Sequence, residues 1–451
     1  MLLNRPLLAL AAAATVFGCG TSDGARPDAG RGPTADSSIP PVDGAPGTAA
    51  DAPPGADAAP EVIPDPCEGQ APACPSPPGD LTEGGGLIAF DRCAVPLEER
   101  DEWQERAAVI DGFGASLSRV ELAAVLGDLN RTAQPVSSVP GDPPAVAQAF
   151  AWNDGDEGVT YWTPQGITTS GAGTETGRVD GKRVVMVSWY YNIDNDPGSP
   201  GKKGVRIAVT DATDPDDVHY RFVLLVDPKM IDGHPSYAAV NVHAGGIAWV
   251  GHYLYVVHTG VGFRVFDLDG IYKVATGQDS MGYDPASGKY YAHNYAYILP
   301  QVDTVANVSS CSPRFSFVAL DKTTTPASLI TGEYDSASIN GRLYRWPLDP
   351  DNQRLQVVGD GRVIAGGAWF SGQSHLQGAL AHDGQMWLSS SKPAGSAGVL
   401  YRTAEGTATQ SYGWNDSPED LSFDPVDQTL WSLSEGKNAR YVFSVPLASV
   451  D

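Results

Sequence analysis

The side chains that could do chemistry in this sequence lie far apart. Glu333, Glu419, Asp420 and Glu435 offer carboxylates; two of them flanking a sugar would act as general acid and general base, with their separation fixing the stereochemistry. A second scheme pairs His243 or His258 with Tyr190, Tyr191 or Tyr334, while Arg314 neutralises a uronate carboxylate. A tuned base there removes the proton beside the acidified carbon, as polysaccharide β-elimination requires. Gln165, Trp189, His375 and Gln377 add amides, a ring and an imidazole suited to sugar hydroxyls and faces. Without catalysis, the same groups would make a binding surface for a glycan or a protein partner.

Other local patterns carry less. "GTSDG", residues 20–24, fits a nucleophile elbow but lacks the strand before it and the helix after it. "GSPGKK", 198–203, has neither the spacing nor the hydroxyl of a phosphate loop, and no H-E-x-x-H or C-x-x-C pattern occurs. "NIDNDPGSPG", 192–201, crowds Asn192, Asp194, Asn195 and Asp196 into one turn. It resembles part of a calcium loop without the full pattern, and these residues are ordinary turn formers as well. A structural Ca2+ there and a histidine metal centre joining His243 to His293 and His375 are the metal options. No nucleotide, flavin or haem signature is present.

Elements that must position these residues become visible after residue 150. Segments of five to eight residues rich in Val, Tyr, Phe and Trp recur between Gly, Asp, Asn and Pro, the mark of short strands. They align as one four-strand unit used five times, opening with "PQGITTSG", "HAGGIAWVG", "RFSFVALDK", "LQGALAHDG" and "PEDLSFDPVDQ". A unit of this kind repeated around an axis predicts an all-β fold, a β-propeller of five blades; six or seven would require splitting the long third unit. The last unit stops one strand short. Either "QAFAWN" (148–153) or "SRVELAAV" (118–125) is placed to close it, removing the open edges. The segment 98–114 is the convincing helical stretch. The motifs "HAGGIAWVG", "YLYVVHTG", "GFRVFDL", "LYRWPLD" and "PEDLSF" resemble a group of secreted bacterial β-propeller proteins over about residues 115–450. That resemblance implies a fold and no activity.

In a propeller the start of each first strand and the end of each second strand ring one mouth of the axial channel. First-strand starts supply Gln165, His243, Arg314, Gln377 and the pair Glu419 and Asp420. Second-strand ends supply Trp189 to Asn192, His258, Glu333 with Tyr334, Ser389 to Lys392, and Glu435. Such convergence is the default geometry of a ligand site. The structural alternative is that glycines in "QGI", "AGGI" and "QGA" serve close packing and that the glutamines satisfy amides in a wet channel.

The chain ends and composition bound the setting. Arg5, the run Leu7 to Phe17 and Gly18-Cys19 read as an export signal over 1–19, with Cys19 in a lipobox-like context for lipidation. Residues 20–80 lack large apolar side chains and read as a disordered tether, 81–145 as an N-terminal cap with a closing strand, and 146–451 as the propeller. Localisation is then the bacterial cell envelope through a lipid anchor, or secretion. Net charge is −25, of which −20 falls after residue 66. Such a body would repel phosphates, so nucleic acid is excluded as a partner and the membrane is reached only through lipid. The expected partner is a polysaccharide or glycan, and the expected state a monomer. Four cysteines besides Cys19 allow three pairings; proximity favours Cys67 with Cys74, leaving Cys93 with Cys311.

Overall fold

The computed structural model describes residues 62–199, 201–359, 361–392 and 397–451. Cys19, the expected export signal and the expected tether as far as residue 61 lie outside them, whereas 62–80, also expected to be tether, is described and is tied down by Cys67 and Cys74.

Strands dominate because β-branched and aromatic residues alternate with small or polar ones, and both faces of each sheet meet another sheet. Blade 1 consists of Trp162–Thr169, Val184–Tyr191, Val205–Asp211 and His219–Ile231, each antiparallel to the next. Blade 2 uses Ile247–Val250, Tyr253–His258, Gly262–Asp267 and Tyr297–Asn307. Blade 3 uses Phe315–Asp321, Ser328–Glu333, Arg342–Pro347 and Gly367–Phe370. Blade 4 is Leu376–His382, Gln385–Ser390, Val399–Ala404 and Thr407–Gly413. Blade 5 is Pro418–Asp424, Thr429–Ser434 and Tyr441–Pro446, and its fourth strand is Gln148–Ala151 from the N-terminal side. The five inner strands pack side by side in that order, and the last meets the first. The fold is a five-bladed β-propeller closed by an N-terminal strand.

"QAFAWN" is therefore the closing strand. The other candidate, "SRVELAAV", splits into a strand, Ser118–Val120, paired with Ile271–Lys273, and a short helix, Leu122–Leu126. The expected helical stretch begins later than 98: Leu97–Glu99 is a strand, and the helix is Trp103–Gly114.

Two features were not anticipated. The outer strands of blades 1 and 2 pair in parallel, Leu224 to Val226 against Ile298 to Pro300, which fuses two blades into one sheet. In addition, the segment before the closing strand girdles the propeller. Leu87 bridges to Glu405 on blade 4, Ile88–Ala89 joins blade 3, Leu97–Glu99 joins blade 2, Arg131–Thr132 joins blade 1, and Gln134–Pro135 joins blade 5. Two disulfides fasten the start of this belt. They are Cys67–Cys93 and Cys74–Cys311, not the pairing expected from proximity. Cys67 and Cys74 are near in sequence, but the chain leads Cys67 inward beside buried Cys93 while Cys74 meets the loop between blades 2 and 3.

Candidate functional site

Each inner strand runs beside two others near the axis, and there is little room for side chains. In four of the five inner strands the register slips at the same place: after Pro164, Phe315, Leu376 and Pro418. Such a bulge adds a residue and re-aims its neighbours. The residues at this level form a set, the four slips plus the glycines that precede the regular inner strand of blade 2: Gln165-Gly166, Gly245-Gly246, Ser316-Phe317, Gln377-Gly378 and Glu419-Asp420. A Cβ at Gly166 would sit 2.7 Å from the backbone of Gly246, and one at Gly378 would sit 2.8 Å from the Glu419 carbonyl. Glycine is needed there for close approach.

Asp420 is an acidic residue at that level, and its carboxylate lies between the inner strands of blades 1 and 2. Its Oδ2 accepts the amide of Ile167 on blade 1 and that of Ile247 on blade 2, each at 3.2 Å. The side chain is fully buried. Burial pushes its pKa well above the usual carboxylate range, against the pull of the amides of Ile167, Leu421, Ile247 and Val318. Asp420, expected to be catalytic, thus anchors the inner strands to one another.

Beside this carboxylate the preceding residues face the mouth. Gln165 donates to Glu435 Oε2 at 2.8 Å, joining blade 1 to blade 5. Gln377 donates to Glu419 Oε1 at 3.1 Å, joining blade 4 to blade 5. Glu419 is buried, and burial together with the nearby charges of Glu435 and Asp420 raises its pKa well above normal. Glu435 is partly exposed; its pKa is raised by burial too, despite the Gln165 bond and Arg440 nearby. Both carboxyls hold their protons further up the pH scale than free glutamate.

The rim is aromatic and imidazole. The Tyr190 ring lies 4.4 Å from the ring of His243, linking blades 1 and 2. Tyr334 and His375 meet edge to face at 6.1 Å, linking blades 3 and 4, and Arg314 lies over Tyr334 at 5.9 Å. His243 is exposed at the rim, yet the protein around its ring lowers its pKa. Burial and Arg264 push His258 down to about 4, and its Nδ1 has no hydrogen-bond partner among the described residues. Both imidazoles are neutral at pH 7. Together with Tyr190, Asn192, Asp194 and Lys202 they line a cavity of about 390 Å3.

Several expected residues are drawn elsewhere. Glu333 is clamped by Arg342, Nε to Oε2 and Nη2 to Oε1 both at 2.7 Å, and also accepts the Arg314 amide. Its acidity serves blade 3. Trp189 is wholly buried against Trp152 and Phe222, with Arg206 stacked on it, and presents nothing to the mouth. Tyr191 is buried and bonded to Asp196, and burial lifts its pKa to about 12. The 192–196 turn is held by its own atoms, the Asn192 side chain accepting the Asp194 amide at 3.0 Å. His293 bonds Asp279 at 2.7 Å and is not among the residues lining the His243 cavity. Among the described residues, the trio whose ligand atoms converge is His252, Asp267 and Asp269, at the opposite end of blade 2. Ser188 was missed by sequence reasoning: its hydroxyl accepts the Gly166 amide and donates to the Ala244 carbonyl, both at 2.8 Å. The signal for it was a lone serine in the apolar strand "VVMVSWYY".

No family model and no curated relative matches the chain. Solved structures of similar shape include Pseudomonas fluorescens PhoX in complex with vanadate, at 8% identity over 71% of this chain and 98% of that one, with a TM-score of 0.34. A GH43_1 enzyme from Xanthomonas citri is 9% identical over 72% and 92%, with a TM-score of 0.29. The Cps50 (Swd1) β-propeller domain of Myceliophteria thermophila is 11% identical over 70% and 99%, with a TM-score of 0.27. At such identities these likenesses assign no residue a role.

Proposed function

We propose that this propeller recognises a carbohydrate at the mouth of its axial funnel. The observation that carries the reading is the set of pairs between blades, Gln165–Glu435, Gln377–Glu419, Tyr190–His243 and Tyr334–His375, which brings amides, carboxyls of raised pKa and rings together at that end of the inner strands. Rings suit the apolar faces of sugars, and the amide and carboxyl groups suit their hydroxyls. Two disulfides support an oxidising compartment outside the cytoplasm. An export signal and a lipid anchor at Cys19 complete the proposal.

Recognition is favoured over hydrolysis because the acids are committed. Hydrolysis needs a proton donor and an ionised partner flanking the sugar. Glu333 is held by Arg342, Asp420 is sealed between inner strands, and Glu419 and Glu435 both come from blade 5 and favour the protonated form. Bond cleavage, the second reading, rests on His243 as a proton acceptor, its pKa lowered by the surrounding protein, and on Glu435 as a donor, its pKa raised by burial. One experiment separates the two. The purified chain is incubated with a panel of cell-wall and plant polysaccharides, and retention, reducing ends and unsaturated-uronate absorbance are followed. Retention without product is expected. Product of either kind would establish cleavage, and the absence of both retention and product would refute the carbohydrate reading.

A further inference from the structure

We infer that the face opposite the funnel carries a second ligand site, for a small molecule with an apolar body and one anionic head group. A cavity of about 570 Å3 opens on that face between blades 1, 2 and 3, larger than the one beside His243. Its size is that of a small-molecule pocket. The turns that close the inner strands of these blades build it. Val250, Leu320 and Leu348 are buried at its lining, and Ala327 and Pro350 continue the apolar wall.

The polar groups at its edge are of two kinds. The Asp349 carboxylate is used within its own turn, accepting the Asp351 amide at 2.8 Å and the Asn352 side chain at 3.2 Å. Glu175 is exposed. Lys322 is exposed as well, and among the described residues it is the one cation of the lining. Its ammonium donates to the carbonyls of Thr174 at 3.2 Å and Gly171 at 3.5 Å, and it makes no ion pair among the described residues. Although the side chain is exposed, the protein packed around the ammonium lowers its pKa, outweighing Asp424 and Glu175, which favour its charge. An ammonium held only by carbonyls at the edge of an apolar cavity gains most from an anion, since charge-assisted bonds are the stronger ones. The hydrocarbon wall then takes the rest of the ligand. No residue is shared with the funnel, so this site stands apart from the carbohydrate proposal.

Isothermal titration calorimetry with octanoate, octan-1-ol and octylammonium tests the site. Octanoate is expected to saturate one site per chain. Lys322→Met should weaken octanoate about tenfold while leaving octan-1-ol unchanged, and Lys322→Arg should retain octanoate binding. Ala327→Trp, which fills the cavity, should remove both ligands, whereas Tyr190→Ala at the funnel should affect neither. The inference is overturned if octanoate shows no saturable binding or octylammonium binds as tightly. It is overturned equally if folded Lys322→Met retains wild-type affinity for octanoate, whether or not Ala327→Trp folds.

Discussion

Glu419 and Asp420 are adjacent in the chain and end in different jobs, because the bulge turns one toward the mouth and the other in among the inner strands. Asp420 supplies an acceptor to amides of blades 1 and 2 where water is excluded. Asp420→Ala is expected to cost about 2–4 kcal/mol in urea denaturation, the expense of orphaned buried amides, and Asp420→Asn much less because an acceptor oxygen remains. An alanine variant as stable as the parent would remove that role. Glu419 gives a pH test. Its folded-state pKa is raised, so its contribution is fully present below the unfolded value and is lost as pH rises through the folded value. Glu419→Gln should therefore be more stable than the parent in urea denaturation at pH 8, by on the order of 1 kcal/mol, and show little difference at pH 4. A gain confined to pH 4 would contradict the burial argument. At this scale the sequence shows which residue types stand at strand starts. It does not show that Arg342, across a strand pair, takes Glu333 out of use, or that Trp189 turns inward, since both depend on register.

Strand rhythm and turn residues made the four-strand unit readable, and the missing last strand made the closure readable too. Gln148–Ala151 closes the circle by pairing with Tyr441–Pro446, and Phe150 is fully buried there. Phe150→Ala should cost about 3–5 kcal/mol, the range for emptying an aromatic core site. A chain beginning at residue 154 should fail to melt cooperatively, because blade 5 would lose its fourth strand; a sharp melt from that truncation would disprove the closure. The parallel pairing of the outer strands of blades 1 and 2 was not readable. It joins residues more than seventy positions apart across an inserted stretch that holds Ile271–Lys273, Met281–Asp284 and Lys289–Ala292, and alternation within a strand says nothing about which edge it meets.

Across the whole molecule, the belt touches every blade before the chain enters the propeller, so the N-terminal segment acts as a hoop. Its disulfides differ in reach: Cys67–Cys93 spans 26 residues and Cys74–Cys311 spans 237. Loop entropy alone assigns about 5.5 kcal/mol to the longer closure and about 3.5 to the shorter. Thermal melts of Cys74→Ser/Cys311→Ser and Cys67→Ser/Cys93→Ser should accordingly show the larger loss in the first pair. Composition could not show this belt, since its strands are two or three residues long and carry no periodicity of their own. Recognition at the funnel mouth is the function proposed for the whole molecule. The direct measurement is calorimetric affinity for the best-retained glycan in the parent, in Tyr190→Ala, in His243→Ala, and in Lys289→Ala on the inserted hairpin as control. Loss of about tenfold or more in the two rim variants, with the control unchanged, is the predicted result. Parent-like affinity in both rim variants, each correctly folded, would contradict it.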